Sequence, residues 1–264
     1  GCAHLGTRIE QQPLPPGAPA VNEVLGDLAA NDAAVDRFQA TGGFELKTPE
    51  IDRIYTLQQS SISFRRPSEL YVVGRRYGHA VLRLRCSGPA FLIEFPRRRE
   101  YIYRPEGERF DSVKYPVSPA DIAREMFLPE DWAKIPEGRA RLTAYDEERQ
   151  TATLALFSGP RQRHPGRILQ VQGKPWVVIE SQLFDRDGTI LAITRKGDYH
   201  ERGGIRFPKR VECIFPGENA HMRFEMREFA LHRDLDDAWF RIPEQLAEWR
   251  RLGFREVEPQ EADW

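Results

Sequence analysis

A long series of short segments, in which apolar and polar residues alternate, is the feature that most constrains this fold. The segments begin near residue 44, are rich in β-branched and aromatic residues, and are separated by Gly, Pro or Ser, as is typical of an antiparallel meander. They read FELKT, IDRIYTL, SISFRR, ELYVVGRR, HAVLRLRC, AFLIEFP and REYIYR, then ARLTAYD, TATLALFS, RILQVQG, PWVVIESQLFD, ILAITRKGDYH, FPKRVECIF and MRFEMREFALH. A flat sheet of about a dozen strands would curl. The pattern therefore predicts one strongly curved sheet or an incomplete barrel, dry on one face and wet on the other.

Three helical segments interrupt or flank the strands. Residues 21–40 have apolar side chains close to helical spacing, and Thr41-Gly42-Gly43 follows as a break. Residues 120–127 are preceded by Ser118-Pro119, a helix cap with proline at the first helical position. The tail at residues 242–254 holds EQLAEWRRLG. We predict a mainly β fold with helices (α+β), forming a single domain over residues 21–264.

The N-terminal segment, residues 1–20, predicts a flexible tether. It contains four prolines and two glycines after Cys2 and shows no apolar periodicity. In a bacterial lipoprotein, a small residue precedes the cysteine that becomes the acylated N-terminus once the signal is removed. Gly1-Cys2 fits that arrangement, so Cys2 is the predicted lipidation site. A scar from cloning is the alternative explanation of Gly1.

Composition excludes other ways of reaching a membrane or a nucleic acid. Charged residues make up 30% of the chain, and no apolar run approaches the roughly 18 residues needed to span a bilayer. The formal net charge is −1, so no global field favours nucleic acid or anionic lipid. We expect no nucleic-acid partner, and we expect the basic stretches at residues 97–99 and 161–167 to be solvated loops.

Motifs of the common enzyme and metal sites are missing from the sequence. It contains no GxSxG, GxxxxGK[ST] or HExxH motif, and no CxxC or paired Cys/His spacing. Asp185-Arg186-Asp187-Gly188 lacks the remaining ligands of a calcium loop and predicts a tight hairpin turn instead. We therefore predict no enzyme activity, no catalytic residue, no metal and no cofactor. A hydrolase would rest only on scattered histidines and acids.

Cys86 and Cys213 both lie in phase with apolar neighbours on predicted strands. A free cysteine behaves as a small buried hydrophobe. A disulfide between these two is the other possibility in an oxidising compartment. The sequence leaves both alternatives open.

Several strands carry pairs or triplets of apolar residues that point the same way. Such side chains fill the interior of a closed small barrel, whereas in a half-open sheet under a helix they line an apolar cavity. The sequence does not separate a filled interior from a cavity. The candidate cavity-lining residues are Ile62, Phe64, Leu70, Val72, Leu82, Leu84, Phe91, Ile93, Phe95, Val177, Ile179, Met222, Phe224 and Met226.

Three motifs, in this order, resemble the LolA/LolB lipoprotein carriers. The first is SISFRRPSELYVV at residues 61–73, where Arg-Pro ends one strand and apolar residues begin the next. The second is the DRDGTIL hairpin at 185–191, and the third is WFRIP at 239–243. A predicted amphipathic helix precedes the first motif, as in the carriers. The resemblance covers residues 21 to about 243.

The resemblance implies an unclosed antiparallel barrel covered by helices, with a cavity that holds the acyl chains of lipoproteins crossing the periplasm. Arg66 matches the family arginine that hydrogen-bonds to the lid helices, and a guanidinium with five donors suits that role. Leu70 falls near an apolar position that meets the ligand or the membrane. The tether and the greater length make the chain more similar to the membrane-anchored receptor of the pair than to the soluble carrier.

Two hypotheses follow for the function. The first is a lipid-anchored carrier or receptor that faces the periplasm, binds lipoprotein acyl chains or another lipid, and exchanges them with a periplasmic carrier protein. Ala3 and His4 follow Cys2 in place of an aspartate retention signal, which favours the outer membrane. The second is a structural or assembly lipoprotein with a filled core that binds a partner protein at a sheet edge. The segment at residues 87–107 departs from the carriers' glycine-lysine hairpin, so glycolipid, hopanoid or protein remain alternative ligands.

Overall fold

The computed structural model describes residues 13–47, 55–88, 90–105, 125–126, 132–136, 138–158, 164–218 and 220–258. The chain divides into two compact units. The first unit comprises Gly1–Ala34 and Pro129–Asn219, and the second comprises Val35–Leu128 and Ala220–Trp264. The single domain expected over residues 21–264 stays a prediction, because a compact unit is not by itself an independently folding domain.

Two α-helices and fourteen strands are described. The helices are α1 (Val21–Ala33) and α2 (Ile242–Arg251). The strands are β1 (Arg37–Lys47), β2 (Tyr55–Arg65), β3 (Glu69–Arg76), β4 (His79–Ser87), β5 (Ala90–Phe95), β6 (Glu100–Arg104), β7 (Ala140–Asp146), β8 (Thr151–Leu156), β9 (Arg167–Gln172), β10 (Val177–Phe184), β11 (Ile190–Arg202), β12 (Ile205–Phe215), β13 (Ala220–Leu231) and β14 (Arg255–Glu256).

The sheet in the second unit has the order β14-β6-β5-β4-β3-β2-β1-β13. Neighbours from β6 to β13 pair antiparallel, as short hairpin connections require, and only the two-residue β14 pairs parallel, with β6. The first unit has the order β12-β11-β10-β9-β8-β7, in which the pairs that we describe are all antiparallel. Neither order returns to its starting strand among the described residues. The prediction of an unclosed, antiparallel, mainly β fold with helices is confirmed.

The first helix is shorter than the sequence predicted. Helix α1 ends at Ala33, and the remainder of the predicted segment enters β1, where Phe38 pairs with Phe64 of β2 and Leu231 of β13. Pairing of β1 with β2 on one side and β13 on the other stabilises the strand more than the helical spacing of a few apolar residues would stabilise a helix. Gly42 lies within β1 and does not end a helix. Glycine suits this position because a Cβ would stand 2.1 Å from the carbonyl oxygen of Glu225.

Several local predictions are confirmed. The tail contains α2, and Asp185 Oδ1 accepts hydrogen bonds from the backbone N–H of Asp187 and Thr189, which builds the predicted hairpin turn. Cys86 and Cys213 are both buried and no disulfide joins them, which decides between the two alternatives that the sequence left open. Of the segment predicted to be helical at residues 120–127, only 125–126 are described, and they are helical. Cys2 lies outside the described residues.

Candidate functional site

The second unit contains a continuous apolar face that is set by strand register. In one row, Phe38, Phe64, Leu70, Cys86 and Phe91 are successive cross-strand neighbours from β1 to β5. The next row, two residues along each strand, consists of Ala40, Ile62, Val72, Leu84 and Ile93. All ten side chains are buried. Because side chains alternate between the faces of a sheet, this register places both rows on one face.

The structure therefore brings together most of the predicted cavity-lining residues. Phe95 is buried two residues beyond Ile93, whereas Leu82 is half-buried opposite Gly74. On β13, Phe224 packs its ring 4.5 Å from that of Phe44, Met226 is buried, and Met222 is half-buried. Whether these side chains touch a ligand stays a prediction.

Arg66 holds the chain immediately after α1. Its Nε donates a 2.8 Å hydrogen bond to the carbonyl oxygen of Val35, and its backbone N–H donates a 2.9 Å bond to the carbonyl oxygen of Asp36. Val35 is the second residue after the end of α1, and its side chain is buried. The bond supports the idea that Arg66 restrains a helical lid, although the residue that it contacts lies beyond the helix. The lid-holding role stays a prediction.

In the first unit, α1 packs against an apolar sheet face. Val24 and Leu28 project from the helix into a buried cluster with Trp132 and Trp176. The sheet contributes Ala152, Leu154, Leu169, Val171 and Val178. The helix residues are four apart and share one helical face. Burying such a stripe against a sheet is the main force that holds a short helix in place.

Polar contacts fix the position of α1 on this face. Asp27 Oδ2 accepts a 3.1 Å hydrogen bond from the backbone N–H of Trp176. Asn31 makes two bonds to the backbone of Arg206: its Nδ2 donates to the carbonyl oxygen at 3.1 Å, and its Oδ1 accepts from the N–H at 2.8 Å. Asp32 Oδ2 accepts from Trp132 Nε1 at 2.6 Å.

An ion pair extends the line of polar contacts on α1 towards the N-terminus of the helix. Glu23 is four residues before Asp27, and its Oε1 lies 3.0 Å from Nζ of Lys174. The hydrogen bond with Lys174 lowers the pKa of the Glu23 carboxyl. Both side chains are largely exposed, so the pair contributes little compared with the apolar cluster.

Two residues predicted to line the cavity, Val177 and Ile179, are not members of the α1 cluster. Val178 belongs to it, whereas Val177 is buried outside it and Ile179 is half-buried. The register between β9 and β10 shifts between Val178 and Glu180, which changes the phase of the strand at Ile179. A bulge of this kind leaves no clear trace in the sequence. Trp132, Trp176, Val24 and Leu28 were not among the predicted site residues, and only Leu28 belonged to the apolar stripe of the predicted helix.

The described residues add nothing to the search for catalytic or metal chemistry. No group of His, Cys, Asp and Glu within them is arranged to hold a metal ion. Within the same part of the chain, no helix combines the length and apolar character that crossing a bilayer requires.

Comparison with solved structures identifies the fold. An outer membrane lipoprotein-sorting protein domain from Vibrio parahaemolyticus aligns with a TM-score of 0.62 at 9% identity, covering 84% of this chain and 96% of that one. A DUF1329 family protein from Desulfovibrio piger gives 0.61 at 11% identity, covering 86% and 99%. A LolA superfamily protein from Nitrosomonas europaea gives 0.56 at 14% identity, covering 86% and 100%.

These likenesses extend over most of each chain. The class is an α+β protein with an unclosed antiparallel sheet and covering helices, and the particular fold is the LolA/LolB-like one. The resemblance predicted from sequence is thereby confirmed at the level of fold. No protein-family model matches the sequence, and a search of curated proteins finds no match.

Proposed function

We propose that this protein is a lipid-anchored carrier or receptor of the bacterial envelope that faces the periplasm and binds acyl chains. The observation that carries the proposal is the buried apolar sheet face beneath α1, formed by Leu154, Leu169, Val171 and Val178, on a LolA/LolB-like fold. Each methylene group transferred from water onto such a face gains about 0.8 kcal/mol. Affinity would come from this burial, without a chemical reaction.

Transfer requires an apolar face to be covered between encounters and exposed during them. In the first unit, α1 provides such a cover, held by one apolar stripe and a few hydrogen bonds. Acyl chains would enter as α1 moves aside and would replace Val24 and Leu28 against the sheet. Cys2, acylated, would keep the protein at the membrane, with the outer membrane favoured and a periplasmic carrier protein as the exchange partner.

A photoactivatable fatty acid tests where the chain binds. A diazirine on the acyl chain is expected to label residues of the face beneath α1, such as Leu154, Leu169 and Val171. Gln170 and Gln172 provide the matched control, because they lie on β9 with Leu169 and Val171 but are exposed on the opposite face. Labelling confined to that opposite face, or no labelling that excess unlabelled fatty acid can compete away, would contradict the carrier.

The second candidate is a structural or assembly lipoprotein with a filled core. It is favoured by the burial of all ten row residues, which leaves none of them open to water. Native mass spectrometry of protein purified from membranes separates the two functions. A co-purifying lipid or lipopeptide supports the carrier and names its cargo, whereas an acylated protein without bound lipid supports the protein-binding module.

The anchor is tested separately by labelling cells with an alkyne fatty acid. The wild-type chain, expressed with a lipoprotein signal, is expected to carry the label and to sediment with membranes. Cys2→Ala is expected to lose both, whereas the buried-thiol control Cys86→Ala retains the label. Equal labelling of Cys2→Ala would place the acylation elsewhere or nowhere.

A further inference from the structure

A row of small polar side chains crosses the sheet face of the first unit. Ser181 on β10 is the cross-strand neighbour of Thr194 on β11, and Thr194 is the neighbour of Cys213 on β12. All three are buried, with relative exposures of 5%, 1% and 0%. On its other side, Ser181 is opposite Leu169, which belongs to the apolar cluster beneath α1. The row is therefore a polar stripe that continues an apolar surface.

The members of the row differ in their hydrogen bonding. Thr194 Oγ1 lies 3.6 Å from Cys213 Sγ, a distance at which either atom can donate. Ser181 Oγ is inaccessible to water and has no hydrogen-bond partner among the described residues. A buried hydroxyl is nearly always paired in native proteins, and an unpaired one is unfavourable because its hydration has been lost without replacement. Such a hydroxyl on the face of a proposed lipid site therefore points to a ligand group that can accept its hydrogen bond.

The chemistry of the row narrows the choice of ligand. A serine hydroxyl donates one hydrogen bond, and its neutral surroundings do not compensate a charged headgroup. Leu169 and Leu154, next in the same row, offer apolar contact to an alkyl chain. A carbonyl oxygen attached to a long alkyl chain is the group that matches both halves of this surface.

We infer that Ser181 donates a hydrogen bond to the carbonyl oxygen of an acyl group, with the alkyl chain lying along the face that α1 covers. This assignment rests on the proposed function and deepens it, since it distinguishes acylated lipids from apolar molecules of similar size. Thr194 lines the same position from the neighbouring strand. Helix α1 covers the apolar half of the surface, so binding requires the helix to move.

Binding of an ester lipid and its ether analogue provides the test. The probes are dioleoyl phosphatidylglycerol and the matching diether lipid, which has the same chains and headgroup but no carbonyl oxygens. The full chain is expected to bind the ester lipid about five-fold more tightly, the effect of one hydrogen bond of ordinary strength. Ser181→Ala is expected to bind both lipids equally, at the affinity of the wild-type protein for the ether lipid.

Ser60→Ala is the matched control. Ser60 is a buried serine on β2 whose hydroxyl already donates to the carbonyl oxygen of Leu57 at 3.2 Å. This variant is expected to retain the five-fold preference. An independent readout is the infrared carbonyl stretch of a ¹³C-labelled ester lipid, which is expected to fall on binding to wild-type protein and to remain unshifted with Ser181→Ala. Circular dichroism verifies that both variants fold.

The outcomes separate this inference from the proposed function. If neither lipid binds the wild-type chain, the carrier function fails. Equal binding of both lipids to wild-type protein leaves the carrier standing and overturns the carbonyl site. A preference for ester that persists in Ser181→Ala overturns the assignment to this residue. A synthetic lipopeptide with ester- and amide-linked acyl chains, assayed in parallel, then shows which source of acyl carbonyl is preferred.

Discussion

Helices α1 and α2 cover their sheets by different means. In the first unit, α1 meets the sheet through an apolar stripe, and its polar contacts are short side chains reaching mainly to backbone groups. In the second unit, α2 packs Ile242, Leu246 and Trp249 against Leu92 and Tyr101. Beneath and around α2 lie several arginines with ionic or aromatic partners. An acyl chain could replace the apolar contacts that α1 makes with its sheet, but it could not replace the arginine contacts around α2.

The layer under α2 is strongly polar. Arg85 is 5% exposed, its Nε donates a 3.0 Å hydrogen bond to the carbonyl oxygen of Trp239, and its guanidinium carbon lies 5.4 Å from the ring centre of Trp249. Glu94 is 2% exposed; its Oε1 lies 2.7 Å from Nη1 of Arg83, and its Oε2 lies 3.7 Å from Nη1 of Arg85. Burial lowers the pKa of Arg85. Of these contacts, only the one with Trp249 reaches α2, because Trp239 precedes the helix and the pairs of Glu94 lie within the sheet.

This difference indicates which helix can move at low cost. Lifting α2 would break the 3.3 Å hydrogen bond from Arg250 Nε to the Tyr101 hydroxyl and the cation–π contact of Arg85 with Trp249, and no lipid tail could replace them. Lifting α1 exposes mainly apolar surface, which a bound alkyl chain would cover again. The predictions below test this contrast, beginning with the change expected to have the largest effect.

Glu94→Ala is expected to lower the free energy of unfolding by about 3–5 kcal/mol, because it leaves the buried Arg85 guanidinium without its carboxylate. Urea denaturation measures the change. Glu225→Ala is the matched control, since its partner Arg223 and its own carboxylate are solvent-accessible and such pairs contribute about 0–1 kcal/mol. Similar losses in the two variants would show that the layer under α2 is not special.

Asn31→Ala removes both hydrogen bonds between α1 and the backbone of Arg206. We expect the unfolding free energy to fall by about 1–2 kcal/mol. Hydrogen–deuterium exchange should accelerate across α1 and remain unchanged across α2. If both helices exchange faster to the same degree, α1 does not move as a separate cover.

Arg66→Ala removes the hydrogen bond to Val35 and should lower the unfolding free energy by about 1 kcal/mol. Release of a bound fluorescent fatty acid is expected to become faster, because the chain that follows α1 is less restrained. Arg75→Ala is the control, since Arg75 also donates to a backbone carbonyl, that of Gln59, which does not adjoin α1 in the sequence. Equal release rates in the two variants would refute a specific role of Arg66.

Ser181→Ala is expected to leave the unfolding free energy of the ligand-free protein unchanged or to raise it by up to about 0.5 kcal/mol, because the lost hydroxyl has no partner. Ser60→Ala should lower it by about 1 kcal/mol, since the bond to Leu57 disappears. Thermal and urea denaturation in the absence of lipid provide the measurement. A marked loss of stability in Ser181→Ala would show that its hydroxyl is already paired.

The smallest effect is expected from acid. The pKa of Glu23 in the folded protein lies below its ordinary value of 4.5, so the pair with Lys174 is present above that value and is lost as the pH falls through the lower, folded-state pKa. Exchange of the α1 amides should therefore accelerate slightly below pH 4.5. Glu23→Gln is expected to abolish that pH dependence, and an unchanged profile would exclude the ion pair as its source.

The sequence predicted the strands better than the packing between them. Alternation identifies a strand because its period is local, and it correctly placed Ile62, Leu70 and Leu84 on one apolar face. It also implied that the opposite face is wet, which is wrong for the buried Arg85 and Glu94. Trp239 and Trp249, more than 140 residues later in the chain, both contact Arg85. Residue types alone do not reveal such a distant cover.

The same limit explains the errors around α1 and β10. Phe38 fits a helical stripe by spacing but lies in β1, because its two cross-strand partners come from distant segments. The bulge next to Ile179 changes which side chains face α1. Ser181 reads as an ordinary polar residue on a strand, and only its burial without a partner distinguishes it.

The way in which α1 is attached also bears on how such a protein can change over time. Asp27 and Asn31 bind backbone atoms of Trp176 and Arg206, and backbone atoms are present whatever residue occupies a position. Substitutions on the sheet can therefore reshape the surface beneath the helix without removing these two attachments. Under the proposed function, selectivity for the bound lipid could therefore diverge among descendants while α1 remains attached at the same two points.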